Sequence, residues 1–167
     1  MQIQFDTVRE FATWWYKQGS PIRPPFENPV YVTDIAYSLC IYREGNCQVE
    51  LYICKPNTES PTHYHPGVDS LFVYLGGNLE FGKEDGSFLD LSAMQKPDPT
   101  NKHHALLGKN LDSLEAAPHS LRVFKEGGAF LSFEKWNKQA PTSVTVNWVG
   151  EMVGDQHEQT IQNTKEK

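Results

Sequence analysis

The sequence lacks the features that mark secreted, membrane or nucleic-acid-binding proteins. Its first residues, MQIQFDTVREFATWWYKQG, have neither the basic start nor the continuous apolar stretch of a secretory signal, and no later run approaches the roughly 18 apolar residues of a membrane span. The net charge is -6 and no basic stripe is present, whereas DNA or RNA binding requires clustered Lys and Arg. We therefore expect a soluble, cytoplasmic protein that binds neither nucleic acid nor membranes.

Cysteine is also scarce, with three residues at positions 40, 47 and 54. They form an odd set without CxxC spacing or nearby paired histidines, so we interpret them as ordinary strand residues rather than as a catalytic thiol or a metal site. Alternation along the strand puts Cys47 on an apolar, buried face and Cys54 on the opposite face with Gln48 and Glu50.

The length and composition predict one domain with a helical start. At 167 residues and 38% apolar content the chain can bury one core. Residues from Asp6 to about Gln18 are predicted to form a helix, capped by Asp6 or Thr7 and packed as a lid on the rest of the domain through apolar residues at positions 8, 11, 12 and 15. We interpret the aromatic pair Trp14 and Trp15 as packing the helix against the domain rather than as a surface on which a ligand stacks. The helix and the proline-rich SPIRPPFENP segment form an N-terminal arm over residues 1–29.

From residue 30 onward the pattern becomes alternating and β-rich. Two strands flank the turn residues Glu44-Gly45-Asn46, which predicts a hairpin. Further strands are predicted at 70–75, 78–82, 88–91, 120–124, 129–136 and 144–149, with a long loop over 94–110. This spacing is typical of a sandwich or closed barrel over residues 30–150. A polar tail, with one helical turn around 157–161, completes the chain over residues 151–167.

Histidine and carboxylate side chains cluster after residue 62. His63 and His65 are two residues apart in an extended segment, so their side chains point to the same face. Asp69 follows across a Pro66-Gly67 corner at the start of the apolar strand SLFVYL. Imidazole plus carboxylate suits Fe(II), Mn(II), Zn(II), Ni(II) or Co(II), and a third histidine is still needed to complete the site.

These residues resemble the first motif of the cupin family, G(X)5HXH(X)3-4E(X)6G. The stretch NTESPTHYHPGVDSLFVYLGG supplies His63, His65, an acidic residue at Asp69 and the closing Gly76. The stretch GKNLDSLEAAPHSLRV is similar to the second motif, G(X)5PXG(X)2H(X)3N, with Gly108 and His119 at the family's separation. The resemblance implies an all-β, single-domain cupin fold, which is a double-stranded β-helix or jelly-roll barrel, here with a short N-terminal helix.

The chain departs from the family pattern at several positions. Asn57 replaces the leading glycine, which is tolerated because Asn enters left-handed turns more readily than most residues. Asp69 replaces the usual glutamate and is one methylene shorter, so it binds the metal directly, binds through water, or orients a histidine. The second motif has lost its other residues, with Leu, Ala and Val at positions 114, 116 and 123. His119 remains the candidate third ligand, because alternation puts it on the same inward-facing side of the strand as Leu121 and Val123.

The resemblance implies one divalent transition metal on His63, His65, His119 and Asp69, with Fe(II) first and Mn, Ni, Zn or Co as alternatives. Such a site leaves coordination positions open, which suits an enzyme acting on a small molecule. Fe(II) dioxygenase chemistry is our first candidate, because the predicted inward positions are mostly apolar and a phosphate ligand would require cations. The alternatives are an isomerase, lyase or decarboxylase, and a non-catalytic module whose metal anchors a small ligand.

Two further histidines and two tyrosines are considered for roles near a substrate. His103 and His104 are interpreted as polar loop residues, although a loop over the barrel mouth can bring either near a substrate. Tyr52 and Tyr74 are possible acids or bases, but alternation puts Tyr74 outside the barrel. The resemblance also suggests a homodimer that forms through edge strands or through exchange of the arm from residue 20 to 29.

Overall fold

The computed structural model describes residues 3–25, 30–61, 63–64, 68–83, 85–90, 119–136 and 159–160. The loop predicted over 94–110 and the strand predicted at 144–149 lie outside these residues, so both stay predictions. The described elements, in chain order, are α1 (Val8–Lys17), β1 (Val30–Val32), β2 (Ala36–Glu44), β3 (Cys47–Cys54), β4 (Thr58–Glu59), β5 (His63–Tyr64), β6 (Val68–Lys83), β7 (Phe88–Asp90), β8 (His119–Trp136) and β9 (Gln159–Thr160).

Helix α1 forms as the sequence predicts. The Oγ1 atom of Thr7 accepts a hydrogen bond from the backbone N–H of Glu10 at 3.1 Å, which satisfies a donor at the first turn. The four apolar positions predicted to be its inner face, 8, 11, 12 and 15, are the buried ones. Within the described part of the chain, no helix has the length and apolar character needed to cross a membrane.

The strands pair antiparallel into two layers that share β6 and β8. In the first layer the order is β1-β2-β3-β8-β6, using residues 128–136 of β8 and 68–77 of β6. In the second layer, residues 119–123 of β8 pair on one side with β4 and β5 and on the other side with residues 79–83 of β6. This part of β6 also pairs with β7. The predicted hairpin around Gly45 is confirmed as β2 and β3.

The two layers face each other because the β6–β8 ribbon folds back on itself. Phe72 and Phe81 are nine residues apart in β6, which is about 30 Å along a straight strand, yet their ring centroids are 5.1 Å apart. The register shifts twice between Tyr74 and Leu79, where Gly77 has a φ of +86°. This architecture agrees with the predicted all-β jelly-roll fold.

Both faces of the first layer are buried, and this corrects one expectation. The face that carries Val49, Leu71 and Phe133 packs beneath α1 on the outside of the barrel. The opposite face, with Cys54 and Phe130, meets the second layer in the barrel interior. The expectation of a mostly apolar set of inward positions was therefore wrong for β3. Its inward side is the polar face, because α1 covers the apolar one.

Three further expectations can be compared with the backbone. Asn57 has a φ of +56°, which confirms the left-handed conformation expected at this position. Gln159 and Thr160 form a short strand paired with His63 and Tyr64, so the helical turn expected there was wrong. The proline-rich arm runs beside β2, where the Arg23 amide donates to the Ile41 carbonyl at 2.7 Å. The division into residues 1–29, 30–150 and 151–167 stays a prediction.

Candidate functional site

His119 lies in the barrel interior at the start of β8. It is 6% exposed, and Leu121 and Val123, which share its phase on the strand, belong to the interior core. Its imidazole packs against the rings of Phe72 at 5.8 Å and Phe81 at 5.9 Å. His63 is its direct partner across the β5–β8 ladder. Opposed residues of an antiparallel pair have Cα atoms about 4.5–5.5 Å apart, so the fold brings these two histidines together.

Asp69 lies in a different setting. It is 2% exposed and is the second residue of β6, opposite Lys135 in the ladder. Alternation gives Asp69 the phase of Leu71 and Val73, which pack beneath α1. Ser70 has the inward phase, and it lies opposite Glu134. Metal ligation by Asp69 would therefore require a departure from strand alternation at this end of β6, and its assignment as a ligand stays a prediction.

The inner face of the first layer carries a polar wall across from His119. The register places three rows of opposed residues on this face, in order from the start of β6 toward the bend at Gly77. Phe72, which contacts His119, belongs to the middle row, so the polar wall and His119 occupy the same end of the barrel. From strand to strand, the rows are Ser70, Glu134, Gln48 and Arg43; then Phe72, Ser132, Glu50 and Cys40; and then Tyr74, Phe130, Tyr52 and Ser38.

Hydrogen bonds join this wall into one network centred on Gln48. The Gln48 Nε2 atom donates to Oε1 of Glu50 and to Oε2 of Glu134, both at 2.6 Å. The Arg43 guanidinium donates to Gln48 Oε1 at 2.6 Å. Two serine hydroxyls complete the carboxyl contacts, from Ser38 to Glu50 at 2.9 Å and from Ser132 to Glu134 at 3.2 Å. Gln48 and Glu50 are each 1% exposed and Glu134 is 3% exposed.

Burial shifts the titration of this network toward neutral forms. Desolvation and the neighbouring Glu134 raise the pKa of Glu50 well above its usual range. Desolvation raises the pKa of Glu134 to about 7, although hydrogen bonds from Gln48 and Ser132 oppose the shift. Desolvation and the two carboxyls also raise the pKa of Tyr52 well above its usual value. The network can therefore hold protons at neutral pH.

The carboxyl pair was missed at the sequence level. Glu50 and Gln48 were noted only as the polar face of a strand, and Glu134 attracted no attention. The signal was present as the alternating Gln-Val-Glu-Leu-Tyr pattern of residues 48–52, which needed to be interpreted with its polar face inward. The expectation that Tyr74 lies outside was likewise wrong, because it packs against the interior core and occupies the third row.

Several predicted site residues lie outside the described part of the chain. These are His65, His103, His104 and His157, and only the backbone of His63 is described. Among the described side chains, no three His, Cys, Asp or Glu residues come together as a metal-binding group. The backbone pairing does place His63 opposite His119, whose imidazole contacts the rings of Phe72 and Phe81, and histidine is a common ligand of transition metals.

Comparisons with known proteins find similarity to solved structures alone, at low sequence identity. No protein-family model matches the chain, and no curated protein sequence matches it. A solved double-stranded β-helix protein from Klebsiella pneumoniae is 13% identical over 73% of this chain and 84% of its own, with a TM-score of 0.46. An RmlC-like cupin from Desulfovibrio desulfuricans is 16% identical over 66% and 92% of the two chains, with a TM-score of 0.44. The DMSP lyase DddQ from Ruegeria pomeroyi is 12% identical over 80% and 66%, with a TM-score of 0.47.

Proposed function

We propose that this chain is a metal-dependent enzyme that acts on a small organic molecule in the barrel interior. The observation that carries the proposal is the position of His119, which is buried between two phenyl rings and directly opposite His63 in the β5–β8 ladder. Two histidines at opposed interior positions, with His65 two residues further along the chain, supply the neutral imidazole nitrogens that first-row divalent metals prefer. His63, His65 and His119 would hold the ion.

Fe(II) with dioxygenase chemistry is the first candidate, and Mn, Ni, Zn and Co are the alternatives. When bound, a redox-active ion of this kind activates dioxygen for reaction with an organic substrate. The rings of Phe72, Phe81 and Phe130 form a continuous apolar surface around His119, with centroids 4.9–6.0 Å apart. Such a surface excludes water and favours an uncharged substrate over a phosphate.

A second candidate is metal-dependent lyase, isomerase or decarboxylase chemistry, which the carboxyl pair supports. Glu50 and Glu134 are buried in the wall beside Phe72, and burial raises the pKa of both carboxyls, so that the pair keeps at least one proton at neutral pH. Reactions that move protons without an external oxidant use groups of this type. Consumption of dioxygen with a substrate distinguishes the two candidates, because a lyase, isomerase or decarboxylase turns over under anaerobic conditions.

The metal site is tested by plasma mass spectrometry on untagged protein. We expect about one ion per chain in the wild type, loss of most of it in His63→Ala and His119→Ala, and wild-type content in Glu126→Gln, an exposed substitution at the bend of β8. From the phase of its position, Asp69→Ala is expected to retain the metal. Circular dichroism confirms that each variant is folded. A wild type that stays metal-free after incubation with each candidate ion would overturn the proposal.

A further inference from the structure

Glu50 and Glu134 are two buried carboxyls held by one side-chain nitrogen. Both accept hydrogen bonds from Gln48 Nε2 at the same 2.6 Å distance, so their oxygens are close neighbours. Each residue is at most 3% exposed, so water does not screen the repulsion between two negative charges. Two ionised carboxylates in such a place are unstable unless cations balance both of them.

In the part of the chain that the structure describes, the groups around the pair supply one positive charge, that of Arg43, for two carboxyls. Arg43, which is half-buried, reaches the pair through the Gln48 amide oxygen. Lys135 lies on the same strand as Glu134 but has the opposite phase, away from the interior. Among the described residues, the groups that face the pair are Arg43, Ser38 and the Cys40 thiol from β2, the Tyr52 hydroxyl from β3, Ser132 from β8, Ser70 from β6, and, across the interior beyond Phe72, His119.

We propose that Glu50 and Glu134 act as a pH-sensitive latch between β3 and β8, which is closed while the pair shares at least one proton and weakens when both carboxyls ionise. With one proton, the pair and Arg43 are neutral together and Gln48 bridges the two strands. Without it, one uncompensated negative charge remains in the barrel wall. The latch lies at the barrel end that carries His119, and it does not depend on a bound metal.

The sign of the pH effect follows from proton counting. In the unfolded chain both carboxyls lose their protons near the ordinary value of 4.5, whereas the folded pair keeps at least one proton to neutral pH or above. The folded state therefore binds more protons than the unfolded state above pH 4.5, and stability decreases as the pH rises through this range. The stabilising contribution is complete below pH 4.5, decreases as the pH rises from there, and is fully lost above the folded-state values.

Thermal unfolding of single variants between pH 5 and pH 8 tests the latch. The wild-type Tm is expected to decrease with pH by on the order of 5–10 °C, because the pair contributes this slope. Glu134→Gln and Glu50→Gln each leave one carboxyl beside Arg43 and neutral amides, so each single variant should lose most of the slope and the double variant should lose little more. Glu126→Gln, an exposed glutamate on the same strand, should keep the wild-type slope.

Three results would overturn the latch, two from the variants and one from spectroscopy. Wild-type slopes in both single variants would show that the pair does not contribute, and half the effect from each variant would show two independent groups rather than a shared proton. Infrared spectroscopy of the wild type gives a readout that does not depend on how the variants fold. A carboxylic-acid C=O band should be present at pH 7 and should disappear at alkaline pH, while amide-exchange protection of residues 47–54 and 128–136 decreases. A spectrum with carboxylate bands alone at pH 7 would contradict the shared proton.

Discussion

At the scale of single residues, one step in strand phase separates Asp69 from the inner face of the sheet. Asp69 occupies the acidic position of the motif that the sequence resembles, yet it has the phase of Leu71, which packs beneath α1. Ser70 has the inward phase, and the carboxyl opposite it in the ladder is Glu134. A motif fixes separation along the chain, whereas a ligand must also lie on the correct face. Among the described residues, the buried carboxyls on the inner face are Glu50 of β3 and Glu134 of β8.

The three cysteines are expected to be unreactive in the folded protein. Burial raises the pKa of Cys47 and of Cys54 to about 12, and burial together with Glu50 also raises the pKa of Cys40. Since the thiolate is the reactive form, a thiol reagent at pH 8 should modify none of them in the native state. The same reagent in guanidinium chloride should titrate three thiols. Rapid labelling of the folded chain would show that one of these strands opens or that a thiolate is stabilised.

At the scale of elements, alternation and helical spacing predict which residues share a face, but not which face of a sheet lines the interior. The predicted helix face and the β2–β3 hairpin are confirmed. Alternation also separates Cys47 and Val49 from Gln48 and Glu50 correctly, but the expectation that the apolar set lines the interior was wrong. A sheet covered by a helix on one side and by a second layer on the other buries both faces. The choice between them depends on long-range packing, which local periodicity does not encode.

The docking of α1 on the first layer is expected to contribute much of the stability of this face. Phe11 is fully buried, and its ring meets Phe133 at a centroid distance of 6.1 Å. Phe11→Ala should lower the free energy of unfolding by about 3–5 kcal/mol, because it leaves a cavity between the helix and the sheet. Lys17→Ala, on the exposed side of the same helix, should change it by less than about 0.5 kcal/mol. Urea denaturation measures both, and similar small losses would show that α1 is loosely attached.

At the scale of the whole molecule, a single fold in the β6–β8 ribbon creates the interior. The ribbon carries Phe72, Phe130 and Glu134 in one layer and Phe81 and His119 in the other. The aromatic contacts between layers, and the proximity of His119 to the polar wall, exist only because the ribbon folds back. The proximity of candidate catalytic groups that are distant in sequence thus depends on the backbone geometry at the bend.

Gly77 is expected to be essential to this bend. It has a φ of +86°, and a Cβ atom there would lie 2.3 Å from the Gly127 carbonyl oxygen and 2.3 Å from the Gly128 Cα. Gly86 has nearly the same φ, +85°, with no atom within 4 Å of such a Cβ. Gly86→Ala should therefore lose about 1–2 kcal/mol of unfolding free energy from backbone strain alone. Gly77→Ala adds a backbone clash that no side-chain rotation relieves.

We expect Gly77→Ala to be less stable than Gly86→Ala by at least about 2 kcal/mol, since it combines the same strain with overpacking. Urea denaturation followed by tryptophan fluorescence compares the two variants. If Gly77→Ala is insoluble while Gly86→Ala expresses as the wild type does, that result also supports the prediction. Equal stabilities would show that the ribbon can bend without the close approach of Gly77 to Gly127, and the bend would then be imposed by the packing of the two layers rather than by the glycine itself.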